Sequence, residues 1–507
     1  MSNSEERIPV IVGVGQINDR PDDPANGLDP TALMAAALRR ADEDAGGGWL
    51  EVCDSLAVVS QLAWPHLNPV DGKLAETLGI APAHREQTAM PNGDSPIRLL
   101  NEAANRIGAG EAKVCAVVGA EALRTAAKLA AARQAVNKEQ GGGQQTKPNA
   151  LRDASHRVRK GYVQSHGLTV PVDVYPLYEN ALRHKYGQTL AEAQAESGAI
   201  WSGFSQTAAA NENAWMREAV SPVDVVTTSG QNRPIAFPYT KLQVANSSVN
   251  QGAGFLVTSL AEARRRGVPE GKLIYVGYGA AAHEDNNFMT RARFDGSASL
   301  ETSISKAMEL NTVTTTDLAH VELYSCFPCV PKMARRVLDW PLDRPMSVFG
   351  GLTFGGGPIG NYMSHAVASM VDALRESGGK GLLFANGGYA THNHTILISA
   401  EPLDAQFPQD FDYQAEADAK RGAVPEMDRD YTGPATLETY TVHYKRDGSV
   451  KLGTIVATTP NGDRTLAIVR PDDEQTLAFL TGGTADPIGA SGTITRDEDG
   501  VGFWSGV

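Results

Sequence analysis

The 507-residue sequence predicts an α/β protein followed by a small, separate all-β module. Three observations carry this expectation. Apolar strand-like runs take turns with amphipathic helical stretches over the first 400 residues, the pattern of a parallel sheet covered by helices. Two stretches of that pattern correspond loosely, each placing a turn, a helix and an apolar strand in the same order, as if the unit were duplicated. After about residue 434 the pattern changes to alternating runs joined by hairpin turns.

In chain order, "VIVGVGQI" is a strand, "TALMAAALRRADED" a helix and "SLAVVSQ" a strand. The turn Asn92-Gly93-Asp94 then leads into a helix, with Ser95 placed as its N-cap and Pro96 at its first position. Ile97, Leu100, Ala104 and Ile107 recur at helical spacing, Gly108 closes the helix, and "VCAVVGA" is a buried strand. Residues 121–220 read as an inserted lobe containing "QGGGQQTKPN", and "QGAGFLVTS", "LAEARRRG" and "KLIYVGYGA" restore the α/β rhythm. From 299, the helix "LETSISKAMELN", the strand "DLAHVELYSCF", the loop "GGLTFGGGPIG", the helix "NYMSHAVASMVDALRES" and the strand pair "GKGLLFANGGYATHNHTILIS" follow. Residues 403–433 carry eight Asp/Glu against three Lys/Arg and read as an acidic linker. Hairpin signals at Asp447-Gly448 and Asn461-Gly462-Asp463 then give five or six short strands, a small antiparallel barrel.

Composition narrows the function classes. The net charge of −14 argues against nucleic-acid binding or an anionic membrane surface. No apolar run reaches membrane-spanning length and no leader pattern opens the chain, so a cytoplasmic protein without membrane insertion is expected. The segment 123–160 is a basic exception, with nine Lys/Arg, Arg152 and Arg157 among them, against Glu139 and Asp153. It suits a small phosphorylated ligand or a solvated helix pair. Four cysteines are too few for a disulfide framework, and the lone Cys326-x-x-Cys329 pair is weak evidence for metal or redox use. No metal is expected. His392 and His394 alternate in "THNHT" and share one face of a strand. The GxGxxG-like "GGGPIG" contains a proline and sits late in the chain, which counts against a dinucleotide loop.

The opening turn, the "YSCF" strand end, the "GGLTFGGGPIG" loop and the "FANGGY" turn, in that order, resemble the thiolase superfamily over roughly residues 7–400. The resemblance is to its sterol carrier protein-2 branch, and with the added β-module to the thiolase-like protein type 1 group. It implies a duplicated, five-layered αβαβα fold with an inserted loop domain that holds coenzyme A, and an OB-like barrel. The halves would be 1–120 with 221–270, and 271–402, with 121–220 as loop domain and 434–507 as barrel.

Thiolase chemistry needs a cysteine thiolate, a histidine that activates it, an acid/base group and an oxyanion hole. By this resemblance the nucleophile falls on Gly93, the activating histidine on Gly357 and the second cysteine on Ala385. The His-Asp-Cys-Phe box appears as Tyr324-Ser325-Cys326-Phe327. Cys326, Tyr324 and His365 remain as candidate catalytic groups. Ser95, Gly387, Arg152 and Arg157 are candidate contacts to CoA or an oxyanion, and Ser95 is better suited to capping than to attack. The helix N-terminus at this turn is expected to receive an anion through its N–H groups.

Three functions follow: a protein that binds CoA or acyl-CoA without ordinary thiolase activity, an aldol-type lyase or acyltransferase of acyl-CoA using the barrel in cis, or a scaffold that docks a protein partner through the barrel. No cofactor beyond the thioester is expected, and the sequence leaves the oligomeric state open.

Overall fold

The protein was analysed as a computed structural model that describes residues 4–139 and 161–506. Eleven strands precede the C-terminal module: β1 (Pro9–Asn18), β2 (Ser55–Val58), β3 (His84–Gln87), β4 (Val114–Ala122), β5 (Pro234–Ala236), β6 (Tyr239–Thr240), β7 (Asn250–Ser259), β8 (Ile274–His283), β9 (Leu318–Leu323), β10 (Lys380–Gly387) and β11 (His392–Ser399). Nine of them form one array in the order β3-β2-β4-β7-β1-β8-β11-β10-β9. Its two halves join at β1 and β8 through only two residue pairs, Val10 with Tyr275 and Ile11 with Ile274.

The helices that set the layers are α1 (Pro30–Asp44), α2 (Ser95–Ala109), α3 (Pro171–Lys185), α4 (Leu190–Ala210), α5 (Ala298–Leu310), α6 (Cys329–Leu338) and α7 (Tyr362–Ser377). Helix α1 covers the outer face of the first half at β1, β4 and β7, and α5 covers β8 and β11 of the second. Between them α2 and α7 touch each other and strands of both halves. The result is the five-layered αβαβα fold. Burying a sheet on both faces demands the apolar runs seen in β1, β4 and β7, which are buried almost throughout.

The expected parallel sheet is mixed. Pairs β2–β3, β2–β4 and β9–β10 are parallel. Strand β7 is antiparallel to both β1 and β4, and β11 is antiparallel to β8 and β10. A strand buried on both faces has the same apolar run in either direction, so periodicity cannot report its sense.

Helix α2 buries Ile97, Leu100, Ala104 and Ile107, as its spacing predicts. It ends one residue later than expected, at Ala109, with Gly110 in the left-handed region at φ 74°. Gly108 is instead a close-packing position against Phe407.

The C-terminal strands β12 (Gly433–Tyr444), β13 (Val450–Thr458), β14 (Arg464–Val469), β15 (Ser491–Arg496) and β16 (Gly502–Ser505) close a five-stranded barrel. Gly448 and Gly462 take the positive φ that its hairpins require. Leu437, Val442, Ile455, Ala467 and Trp504 are among its core residues. The barrel is sewn to the rest of the chain. The β5–β6 hairpin extends its sheet through His443 and Ala236. The Thr439 hydroxyl donates to the Leu177 carbonyl at 2.6 Å, and Asn180 donates to the Tyr440 carbonyl at 2.9 Å. Buried Arg464 holds Glu438 with two bonds and donates to the carbonyls of Met289 and Arg291 at 2.9 and 2.8 Å.

Residues 403–433 are bound along the second half. Ala281 donates its N–H to Phe411 at 2.7 Å, Tyr413 donates to Ala281 at 2.9 Å, and Arg421 pairs with Glu284 at 2.9 Å. No helix among the described residues is long and apolar enough to cross a membrane.

Candidate functional site

The Asn92-Gly93-Asp94 turn is closed from within. Ser95 is the first residue of α2 rather than its N-cap, and its buried hydroxyl accepts the Asn92 N–H at 3.2 Å. The Asn92 side-chain oxygen accepts the Gly93 N–H at 3.0 Å, and Ser95 donates its N–H to the Asn92 carbonyl at 3.0 Å. Asp94 takes its own N–H on its carboxylate. The N–H groups at the expected anion seat are therefore answered by local groups. Burial pushes the Asp94 carboxyl up, while His392, Arg98 and His283 pull it back.

Loops from the second half meet this turn. A side-chain carbon on Gly93 would run into the Asn386 carbonyl and the Tyr324 phenol. One on Gly387 would strike the Asn92 side chain, and one on Gly360 would strike Pro91. Gly360 has φ 76°, so the glycine loop approaches the turn on a backbone that other residues rarely adopt. Tyr324 stands at the end of β9, its N–H donated to the Phe384 carbonyl at 3.1 Å, and packs edge-to-face on Tyr362 at 5.7 Å. Burial, with Cys326 and Asp94 nearby, raises its phenol well above the ordinary range.

Cys326 follows two residues on. Burial pushes its thiol up to about 12 against the pull of the Tyr175 hydroxyl, so it is a protonated thiol at neutral pH. Tyr175, from α3, stacks on Phe327 at 4.4 Å. Its hydroxyl accepts the Ala390 N–H at 2.9 Å and lies 3.1 Å from the Gly388 carbonyl and 3.2 Å from the Asn386 side-chain oxygen. Tyr175 thereby pins the 386–390 turn against the 91–95 turn. Its contribution has no signal in the sequence, because "VDVYPLY" reads only as helix. Cys329 is a buried free thiol at the start of α6, 3.7 Å from the Tyr175 carbonyl. No group of three or more His, Cys, Asp or Glu among the described residues is arranged to hold a metal ion.

His365 lies elsewhere. Its Nδ1–H donates to Gln16 at 2.8 Å, and its ring stacks on Phe349 at 4.9 Å. Phe349 in turn packs on Tyr362, which packs on Tyr324, so two rings separate His365 from the phenol at Gly93. Burial drives its imidazole down to about 3. Gly357 donates its N–H to the Asn246 carbonyl at 2.8 Å, and a side-chain carbon there would lie 3.2 Å from that oxygen. Ala385 is fully buried in β10 opposite His394. Both strand histidines face α2. His394 donates to Asn101 at 2.9 Å; His392, beside Asp94, donates to Asn286 at 2.7 Å and stacks parallel on His283 at 5.9 Å. The structure thus gathers Gly93, Tyr324, Cys326, Gly387 and Ser95, and leaves His365 apart. Arg152 and Arg157 lie outside the described residues.

Fold and site define a protein of the thiolase fold. Over 99% of this chain and 100% of the other, the structure superimposes on a monomeric SCP2-thiolase-like protein type 1 from Mycobacterium smegmatis, with TM-score 0.81 and 29% identity. Residues 413–499 match the family described as the thiolase-like protein type 1 additional C-terminal domain, which begins before the expected barrel boundary at 434. In fold and domain order the chain is thus similar to a thiolase-like protein type 1 with that additional domain. More distant structures share the fold. An Ltp2-ChsH2(DUF35) aldolase aligns over 78% of this chain and 99% of its own, at 18% identity and TM-score 0.57. Human mitochondrial 3-ketoacyl-CoA thiolase, solved in complex with CoA, aligns over 78% and 99%, at 16% identity and TM-score 0.57. No curated protein sequence matches the chain.

Proposed function

We propose that the chain binds CoA or a CoA thioester on a thiolase-fold scaffold without passing the acyl group through a covalent enzyme intermediate. The observation that carries this reading is the filling of the space over Gly93 by the Tyr324 phenol and the Asn386 carbonyl. Covalent transfer needs a nucleophilic side chain at that point, and losing a nucleophile together with its base costs many orders of magnitude in rate. The thiol at Cys326, pushed up to about 12, does not replace it at neutral pH. The test titrates the full chain with CoA and acetoacetyl-CoA by calorimetry, with intact-mass spectrometry of the mixture. Saturable binding, unmodified mass and no thiolysis are expected. Absence of saturable binding, or an acyl adduct on the protein, overturns the proposal.

A second reading rests on Asp94 and on His392 at the start of β11, each of which acts on the other's charge. A carboxyl raised by burial beside an imidazole lowered by burial is a pair suited to proton transfer without a nucleophile. In an aldol-type cleavage of a β-hydroxyacyl-CoA, His392 would take the hydroxyl proton as the carbon–carbon bond breaks, and Asp94 or Tyr324 would return a proton to the thioester enolate. The barrel would supply in cis a partner domain for that chemistry. A β-hydroxyacyl-CoA panel assayed with wild type, Asp94→Asn, His392→Gln and Tyr324→Phe decides it: aldehyde or ketone release that falls at least about tenfold in the variants supports the pair. No release by the wild type, or equal release by all four, removes it.

A further inference from the structure

Away from the Gly93 turn, two arginines meet on one buried tryptophan and a third charge lies near them. Trp215 follows α4, its N–H donated to the Gly355 carbonyl at 2.9 Å and the Met216 N–H donated to Phe354 at 2.7 Å. The glycine loop therefore fixes the indole. Gln251 ties the same Gly355 carbonyl to Asn18 at the end of β1, and Asn18 donates to the Asn213 carbonyl at 2.7 Å. Onto this frame the Arg20 guanidinium sits 4.2 Å from the Trp215 ring centroid, donating to the carbonyls of Ala214 and Trp215, and the Arg124 guanidinium sits at 5.6 Å. Arg217 stands two residues beyond the tryptophan and is exposed.

None of the three arginines forms an ion pair among the described residues, whereas Arg264, Arg265, Arg266 and Arg293 do. Asp19, next to Arg20 in sequence, is turned away and accepts the Leu28 N–H at 2.8 Å and the Asn250 amide at 3.3 Å. Arg124 and Arg217 lower Arg20 further after the effect of burial, the mark of like charges held close together. Holding three guanidiniums close together costs repulsion, and each retains N–H donors in the planar fork that matches a phosphate.

We propose that Arg20 and Arg124, held on Trp215 beside the glycine loop, bind a phosphate-bearing anion together with the neighbouring Arg217. The anion is a pyrophosphate group or the phosphates of an adenine nucleotide, and the site takes it whether or not a thioester reaches Gly93.

Calorimetric titration of the full chain with inorganic pyrophosphate and with adenosine 3′,5′-bisphosphate tests this. Saturable binding of at least one probe is expected, weakening as salt rises. Arg217→Gln, which removes an exposed side chain and leaves the fold intact, weakens it about tenfold; Arg20→Gln with Arg124→Gln weakens it about a hundredfold. Pyrophosphate binding equal to the nucleotide's in wild type assigns the site to the phosphates alone. No saturable binding of either probe by the wild type, or unchanged affinity in Arg217→Gln, overturns the proposal. Phosphate binding that persists while acetoacetyl-CoA fails to bind removes the thioester reading and leaves this site standing.

Discussion

The phenol of Tyr324 and the α-carbon of Gly93 are in such close contact that residue 93 has no room for a side chain. The two come from opposite halves of the duplicated fold, Tyr324 from the end of β9 and Gly93 from the turn before α2. What fills the space that a nucleophile would need is thus a residue more than two hundred positions away.

Gly93→Cys is expected to overpack this contact and destabilise the protein by about 1–3 kcal/mol, without thiolysis of acetoacetyl-CoA. Tyr324→Ala leaves a cavity and is destabilising by itself. The double variant is expected to lose less stability than the sum of the two, because the cysteine enters the space the ring vacates. Urea denaturation of the four proteins checks it; strict additivity contradicts the contact.

Acid stability is expected to depend on the two buried histidines. Burial drives His365 and His394 down to about 3, so between the unfolded value near 6.5 and pH 3 the unfolded chain binds protons that the folded one refuses. Their contribution falls as pH falls through that window. Buried Glu121 and Glu322, each raised to about 7, act oppositely: their contribution is present below about 4.5 and is lost as pH rises to 7. The slopes of these four groups offset each other between 4.5 and 6.5, and below 4.5 the histidines add to the loss from carboxylates held down by their partners, Glu196 at about 2 among them. His394→Phe should therefore flatten the loss of stability from pH 4.5 to 3.5, measured by urea midpoints.

Tyr175→Phe removes the acceptor for the Ala390 N–H and the hydroxyl next to Cys326. A loss of about 1–3 kcal/mol is expected, with faster hydrogen exchange at Ala390 than at β10 amides. Unchanged exchange there would show that the turn is held by other groups.

The barrel is expected to be inseparable from the body. Arg464→Ala leaves Glu438 and the carbonyls of Met289 and Arg291 without their shared donor, at a cost of about 3–5 kcal/mol. A chain truncated after residue 433 uncovers β5 and the α3 groups that pair with β12, and is expected to aggregate. A soluble, cooperatively folding truncation would contradict this.

Much of the architecture was legible in the residues themselves. The apolar face of α2 at Ile97, Leu100, Ala104 and Ile107 follows from helical spacing, and the barrel hairpins follow from Asp447-Gly448 and Asn461-Gly462, where only a few residue types accept a positive φ. Both are local, since a helix face and a tight turn are decided within a few residues. The motif order alone also pointed to Gly93, Gly357 and Ala385 as the positions where thiolase groups are expected. The roles of the remaining side chains were not legible. Ser95 closes its own turn instead of capping α2, His365 is spent on Gln16 behind two aromatic rings, and strand directions are mixed where apolar runs looked alike. Tyr175, Asn386 and the arginines around Trp215 reach their places from separate elements. The sequence by itself determined the elements, their order and the small residues at the turns, because these depend on backbone preference and the period of burial. Only the tertiary structure decided that the space over Gly93 is filled and that Arg20 and Arg124, from separate elements, meet on one indole, because both depend on packing between parts of the chain that sequence spacing does not encode.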